Sequence, residues 1–209
     1  MNEALGLIEV QGWSPSMVVL DRLEKAAKIQ FLQVELNDLY GVCMKVAGPL
    51  ANVRMALQAG KAIADSMMVE CIFDVIPRPD ERSHPAYQAR PEFNPLIEQD
   101  VVHVPAQLQN TKGSHLTQQA RFAIGFIETQ GYTAVIEAID TACKTADVEV
   151  LGREKLGGGY ITVIIKGDVA AVRAAVEAGK TKVEGLGRLI AAHVIPSPSQ
   201  AVLSLLPKT

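Results

Sequence analysis

The feature that most constrains this chain is that it repeats itself. ALGLIEVQGW at 4–13 returns as AIGFIETQGY at 123–132, a shift of 119 residues. The same shift pairs Asp21 with Asp140, Lys25 with Lys144 and Gly48 with Gly167. It also pairs VRMALQAGK (53–61) with VRAAVEAGK (172–180), and VIPRP (75–79) with VIPSP (194–198). Residues 4–79 align on 123–198 without a gap, with 23 identities in 76 positions. Identities spread evenly along a gapless alignment mean one domain present twice. A chain of 209 residues has room for two domains of about 100 residues each.

The repeat sets the boundaries. Residues 1–79 form a first domain, 123–209 a second, and 80–122 connect them. The connection carries Pro85, Pro91, Pro95 and Pro105 and little sustained periodicity. A connection this long is uncommon inside one compact domain. Its segment VVHVP (101–105) is short and apolar enough to add an edge strand.

Within the first copy, periodicity gives the elements. ALGLIEV reads as a strand, and SMVVLDRLEKAAK (16–28) as an amphipathic helix. IQFLQVEL (29–36) and YGVCMKVAG (40–48) read as strands, and VECIFDVIP (69–77) as a closing strand. PLANVRMALQAGKAIADSM (49–67) is a second helix, with Pro49 suited to its first turn. The order β-α-β-β-α-β predicts an α+β fold. Each copy is a ferredoxin-like unit with an antiparallel sheet and two main helices. Helices would cover one sheet face and leave the other to water or partners.

Composition narrows the function. A net charge of −3 gives no basic face for DNA or RNA, and 5% aromatics leave little for base stacking. Cys43, Cys71 and Cys143 are odd in number and far apart, so they suggest neither a disulfide framework nor a thiolate metal knuckle. MNEALGLIEV lacks a basic stretch followed by a long apolar one, and no apolar run reaches the roughly 20 residues of a membrane helix. A cytoplasmic protein with no membrane or nucleic-acid partner is expected.

Motifs that invite chemistry mostly fail on context. AGKT (178–181) resembles the end of a phosphate-binding loop, but position 174 is Ala where that loop needs glycine. GGG (157–159) is followed by strand-like YITVIIKG, whereas a dinucleotide loop must open a helix. As a connection between two strands the glycines make an unstrained hairpin turn. His84, His103 and His115 fall in the connection at spacings that suit no standard metal site, and His193 lies in the last strand. Glu9 and Glu128 occupy matched positions, and paired carboxylates suggest acid–base work. A duplicated position is better explained by a shared structural need, capping or an interface contact.

The difference between the copies is more informative. LNDLYGVCM (36–44) faces KLGGGYITV (155–163) with no identity. Loops on rigid scaffolds carry function, so the two hairpins have different tasks.

GFIETQGY (125–132), DVEVLGREKLGGGYITVIIKGDVAAVRAAVEAG (147–179) and HVIPSP (193–198) resemble the shell proteins of bacterial microcompartments, in their tandem, non-permuted class. The first copy keeps LGLIEVQGW, Lys25 and VIPRP of the same pattern. The resemblance implies a non-enzymatic structural component of a microcompartment shell. Some members of that class hold an iron–sulfur cluster on a pore-loop cysteine, but here neither hairpin tip has one and Cys43 falls inside the following strand, so no cluster, metal or other cofactor is expected. It implies a homotrimer imitating a six-domain hexagon, tiling with other shell proteins around encapsulated enzymes. The hairpins would then line a central pore for metabolites, with Leu36, Asn37, Asp38, Leu39 and Tyr40 alternating with Lys155, Leu156, Gly157, Gly158 and Gly159. Lys25, Arg78 and Lys144 would make edge contacts between trimers, and Ser197 replaces the second copy's arginine. A duplicated small-molecule sensor is the alternative that the residues leave open. A cleft enzyme would need a catalytic constellation the sequence does not present.

Overall fold

The computed structural model describes residues 3–37, 41–88, 90–95, 99–105 and 122–207. Residues 4–10 alternate so that Ile8 and Val10 point to one side, and both are fully buried in strand β1, Ala4–Val10. Gly6 shares that side because the second helix lies close. A Cβ there would sit within 3.0 Å of side chains of Val46, Val53 and Leu57. Helix α1 spans Trp13–Ala26, β2 Gln30–Asn37, β3 Gly41–Gly48, α2 Leu50–Ser66 and β4 Cys71–Ile76. Pro49 is the residue before α2, with φ −56° and ψ 135°, so the helix starts one residue later than periodicity places it.

The connection is not bare coil. A 3-10 turn at Glu81–Ser83 leads into a short helix α3 (His84–Tyr87), then β5 (Glu92–Asn94) and β6 (Gln99–His103). β6 pairs antiparallel with β2, giving a sheet in the order β4-β1-β3-β2-β6-β5. The VVHVP segment therefore does extend the edge of the first sheet.

The second repeat forms β7 (Ala123–Gln130), α4 (Tyr132–Thr145), β8 (Glu149–Gly157), β9 (Tyr160–Gly167), α5 (Val169–Lys180) and β10 (Arg188–Ile195). Its sheet runs β10-β7-β9-β8, all antiparallel. Ile127, Ala134, Ala138, Val163, Val172 and Val176 build its core. Each large apolar side chain so buried contributes on the order of 1.5–3 kcal/mol. Asp168 caps α5 by accepting from the Ala170 N–H at 2.9 Å. Gly179, the glycine of the AGKT stretch, is a packing residue. A Cβ on it would lie 2.5 Å from Ile127 Cδ1 and 2.7 Å from the Ala138 carbonyl oxygen. Only hydrogen fits there, and no phosphate loop is present.

The chain divides into two compact units. The first comprises Met1–Gln11, Ser16–Thr117 and Gln200–Leu205; the second comprises Gly12–Pro15, Gln118–Ser199 and Leu206–Thr209. A short helix α6, Gln200–Ser204, thus belongs to the first unit, where the Ala201 N–H donates to Glu24 Oε2 at 2.8 Å. The sheet face away from the helices is not left to water in the second unit. Phe126, Glu128, Thr162 and Ile164 are all buried there.

Candidate functional site

The glycine hairpin has a strict local geometry. Gly157 pairs with Tyr160, leaving Gly158 and Gly159 as a two-residue loop. Their φ values are +57° and +81°, and Gly157 precedes them at +87°. Two central residues with positive φ are the mark of a type I′ turn, whose twist suits a hairpin. Side chains are disfavoured there by backbone angle, not by crowding: the nearest atom to a Cβ on Gly158 would be Tyr160 Cδ2 at 3.6 Å. A register shift between Lys155 and Gly157 accommodates Leu156 as an extra residue.

The tip is held from outside the hairpin. Gln130 Nε2 donates to the Gly158 carbonyl at 3.1 Å, and the Gly131 N–H donates to the Gly159 carbonyl at 3.1 Å. Both loop carbonyls are therefore tied to the corner between β7 and α4. Sequence reasoning missed this clamp, although the Q-G pair recurs at 11–12 and 130–131. Lys155, Leu156 and Gly157 are partly buried, while Gly158 and Gly159 are exposed.

The hairpin of the first repeat is built differently. Asn37 pairs with Gly41 and Leu36 with Val42, so three residues separate the last pair instead of two. Asp38, Leu39 and Tyr40 lie outside the described residues. Gly41 has φ +98°. Behind this hairpin stands a group that the sequence reading passed over inside an apolar strand. Lys45 is only 4% exposed, and its Nζ donates to Gln33 Oε1 at 2.9 Å and Glu35 Oε2 at 2.5 Å. The ammonium is thus buried beside Gln33 and reaches out to a half-exposed Glu35 carboxylate. The second repeat has Ile164 at this position.

Cys43, two residues before Lys45, is partly buried. Burial and the nearby Glu9 carboxylate push its thiol up to about 11, against the opposing pull of Lys45. It stays a neutral thiol at physiological pH, the form that is neither nucleophile nor metal ligand. Burial holds His193 below the ordinary histidine range. Among the described residues, no group of three His, Cys, Asp or Glu side chains could hold a metal ion.

The residues expected at an edge are held in matching ways in the two repeats. Lys25 Nζ bonds Asp21 Oδ2 at 2.7 Å, and Lys144 Nζ bonds Asp140 Oδ2 at 2.5 Å, each pair one helical turn apart. The hydrogen bond that Lys144 donates to Asp140, with the negative charge of that carboxylate, holds Lys144 above the ordinary lysine range. Arg78 follows β4 and is exposed.

Glu128 is explained by capping. Its Oε1 accepts from the Trp13 N–H and its Oε2 from the Ser14 N–H, each at 3.0 Å. These are the first amides of α1, where a helix presents unsatisfied donors and the positive end of its dipole. Burial raises the Glu128 carboxyl above its usual range, and the two amides pull the other way. A carboxylate bound by backbone donors at a helix start is structural, and nothing assigns it acid–base work.

Two segments of the chain, residues 4–79 and 123–198, match the model of the BMC domain. The chain belongs to the BMC-domain family. Its two BMC domains coincide with the two gapless repeats, and each carries one of the unlike hairpins. The bacterial microcompartment shell protein PduA of Citrobacter freundii is 49% identical over 86 residues, 41% of this chain and 92% of that protein. The major carboxysome shell protein CsoS1 of Prochlorococcus marinus is 46% identical over 87 residues, 41% of this chain and 84% of that protein. The carboxysome assembly protein CcmO of Synechococcus elongatus is 30% identical over 206 residues, 98% of this chain and 69% of that protein. The BMC-domain similarity to CcmO thus runs through both repeats. No helix among the described residues is long and apolar enough to cross a membrane.

Proposed function

We propose that this chain is a structural component of a bacterial microcompartment shell and works as a trimer around a metabolite pore. The observation that carries the reading is a pair of BMC domains kept in gapless register while their hairpins differ in sequence, loop length and bulge. The similar proteins named above are shell and assembly proteins, not enzymes. In this reading the domains are 1–79 and 123–209, and 80–122 both connects them and widens the first sheet.

The pore would alternate three copies of Leu36–Tyr40 with three of Lys155–Gly159. Loops meeting at an axis have little room, which suits the side-chain-free tip at Gly158 and Gly159. Asp38 and Lys155 would supply rings of opposite sign, a means of sorting charged solutes. Lys25, Lys144 and Arg78 would contact neighbouring trimers in a sheet with other shell proteins around encapsulated enzymes. Serine at 197 cannot form the bidentate contacts of an arginine, so the two domains' edges would differ.

Electron microscopy and native mass spectrometry of the purified protein test this. Flat discs of three-chain mass, or ordered sheets of them, are expected. A protein that stays a dispersed monomer at tens of micromolar overturns the proposal.

A further inference from the structure

In the second repeat, helix α5 and the edge strand β10 flank an open groove of about 610 Å³. Arg173, Val176, Glu177, Lys180, Ala192 and Val194 line it, a volume and a lining of the kind that small-ligand sites have. The sequence explains how it forms. Gly125 on β7 lets α5 settle onto the sheet, since a Cβ there would lie 2.7 Å from side chains of both Val172 and Val176. On β10, Ala192 pairs with Ile127 and Val194 with Gly125, so both face the helix side of an outer strand.

The equivalent place in the first repeat carries bulk. The shift of 119 sets Phe73 against Ala192, and Met55 against Ala174, which also lines the groove. Phe73 pairs with the fully buried Ile8, so its ring likewise lies on the helix side of β4. The cations are the same in both repeats, Arg54 and Lys61 matching Arg173 and Lys180. The second repeat therefore has two methyl groups where the first has a phenyl ring and a thioether. Its charges are not equivalent to each other. Lys180 Nζ is taken by Glu177 Oε2 at 2.6 Å, whereas Arg173 is exposed and, among the described residues, forms no ion pair. A guanidinium is a planar fork of donors that matches a carboxylate.

We propose that this groove binds a small carboxylate with a flat apolar body. The ring lies against Val176, Ala192 and Val194, and the carboxylate sits on the Arg173 guanidinium. Phe73 is the template for the apolar half, because a phenyl ring is what the equivalent place in this fold holds. Charge complementarity at Arg173 decides the other half. The groove runs toward the Gly125 end of β7, opposite the Gln130 end that holds the glycine hairpin. The site is thus separate from the pore reading and stands or falls without it.

The test titrates the full chain, methyl-labelled at valine, with hydrocinnamate as the probe, followed by NMR. The Val176 and Val194 methyl signals should move saturably in the millimolar range or below. Arg173→Gln should bind the probe about fivefold more weakly, the scale of one partly exposed ion pair, and uncharged hydrocinnamamide should lose as much on the wild type. Ala192→Phe gives the groove its first-repeat side chain and should abolish binding with Tm little changed. Should that variant fail to fold, Arg173→Gln and the amide decide alone. Equal binding of acid and amide, binding that survives Ala192→Phe, or no movement of these two methyls overturns the proposal. So do Val176 and Val194 signals that move with protein concentration but not with the probe, which gives the groove to a neighbouring chain.

Discussion

Removing the Glu128 carboxylate is the most informative perturbation of the folded chain. Both its oxygens accept backbone amides at 3.0 Å, and the group is fully buried. In Glu128→Ala two amides lose their acceptor in a buried place, at about 1–3 kcal/mol each. Loss of the negative charge at the helix start adds about 0.3–1 kcal/mol. Relief from holding a carboxylate out of water offsets part of this, and its presence is seen in the raised carboxyl pKa. The net cost is about 2–4 kcal/mol, or roughly 4–16 °C in Tm for a chain of this size. Glu128→Gln keeps one acceptor but turns an NH2 toward the other amide, so it should cost about half as much.

Trp13, the single tryptophan, sits at the clamp and reports the transition by its fluorescence. The pH dependence adds a sign. A carboxyl whose pKa is raised on folding is more protonated in the folded chain than in the unfolded one. Its contribution to stability therefore falls as pH rises from the unfolded value through the folded value. The wild type should gain on Glu128→Gln as pH drops through that window. An alanine variant within about 0.5 kcal/mol of wild type, a scale typical of inconsequential surface changes, would refute the clamp.

Two further outcomes follow from local geometry. Gly158→Val should cost about 1–2 kcal/mol by forcing a β-branched residue to φ +57°, and Gly158→Asn clearly less, as read from urea midpoints. Equal costs would contradict the type I′ turn. With its thiol pushed up to about 11 and partly buried, Cys43 should react with iodoacetamide at pH 8 more slowly than exposed Cys143. Mass spectrometry of the alkylated peptides gives the order, and the reverse order contradicts the packing around Cys43.

Much of the fold was legible because it is local or repeated. The strand ALGLIEV and β1 coincide, and the other boundaries of the first repeat move by only a few residues. Alternation and helical spacing record which side of an element is apolar, and duplication reads every element twice. The family pattern was legible for the same reason, since its motifs recur in order.

What was illegible depends on groups far apart in the chain. Periodicity marked Glu128 as one of a matched pair, but only the fold brings it to amides more than 100 residues away. It gave no signal for Lys45 inside its apolar strand, and the fold supplied Gln33 and Glu35 from the adjacent strand to hold it. It gave the glycine run a turn, and the fold tied that turn to Gln130. By itself the sequence determined the elements, their duplication and the divergence of one hairpin, because these follow from short-range pattern and self-comparison. The tertiary structure alone decided which donor meets which acceptor and which equivalent surface stays bare. A polar group's buried partner is set by where the chain returns in space, and spacing along the sequence does not encode that.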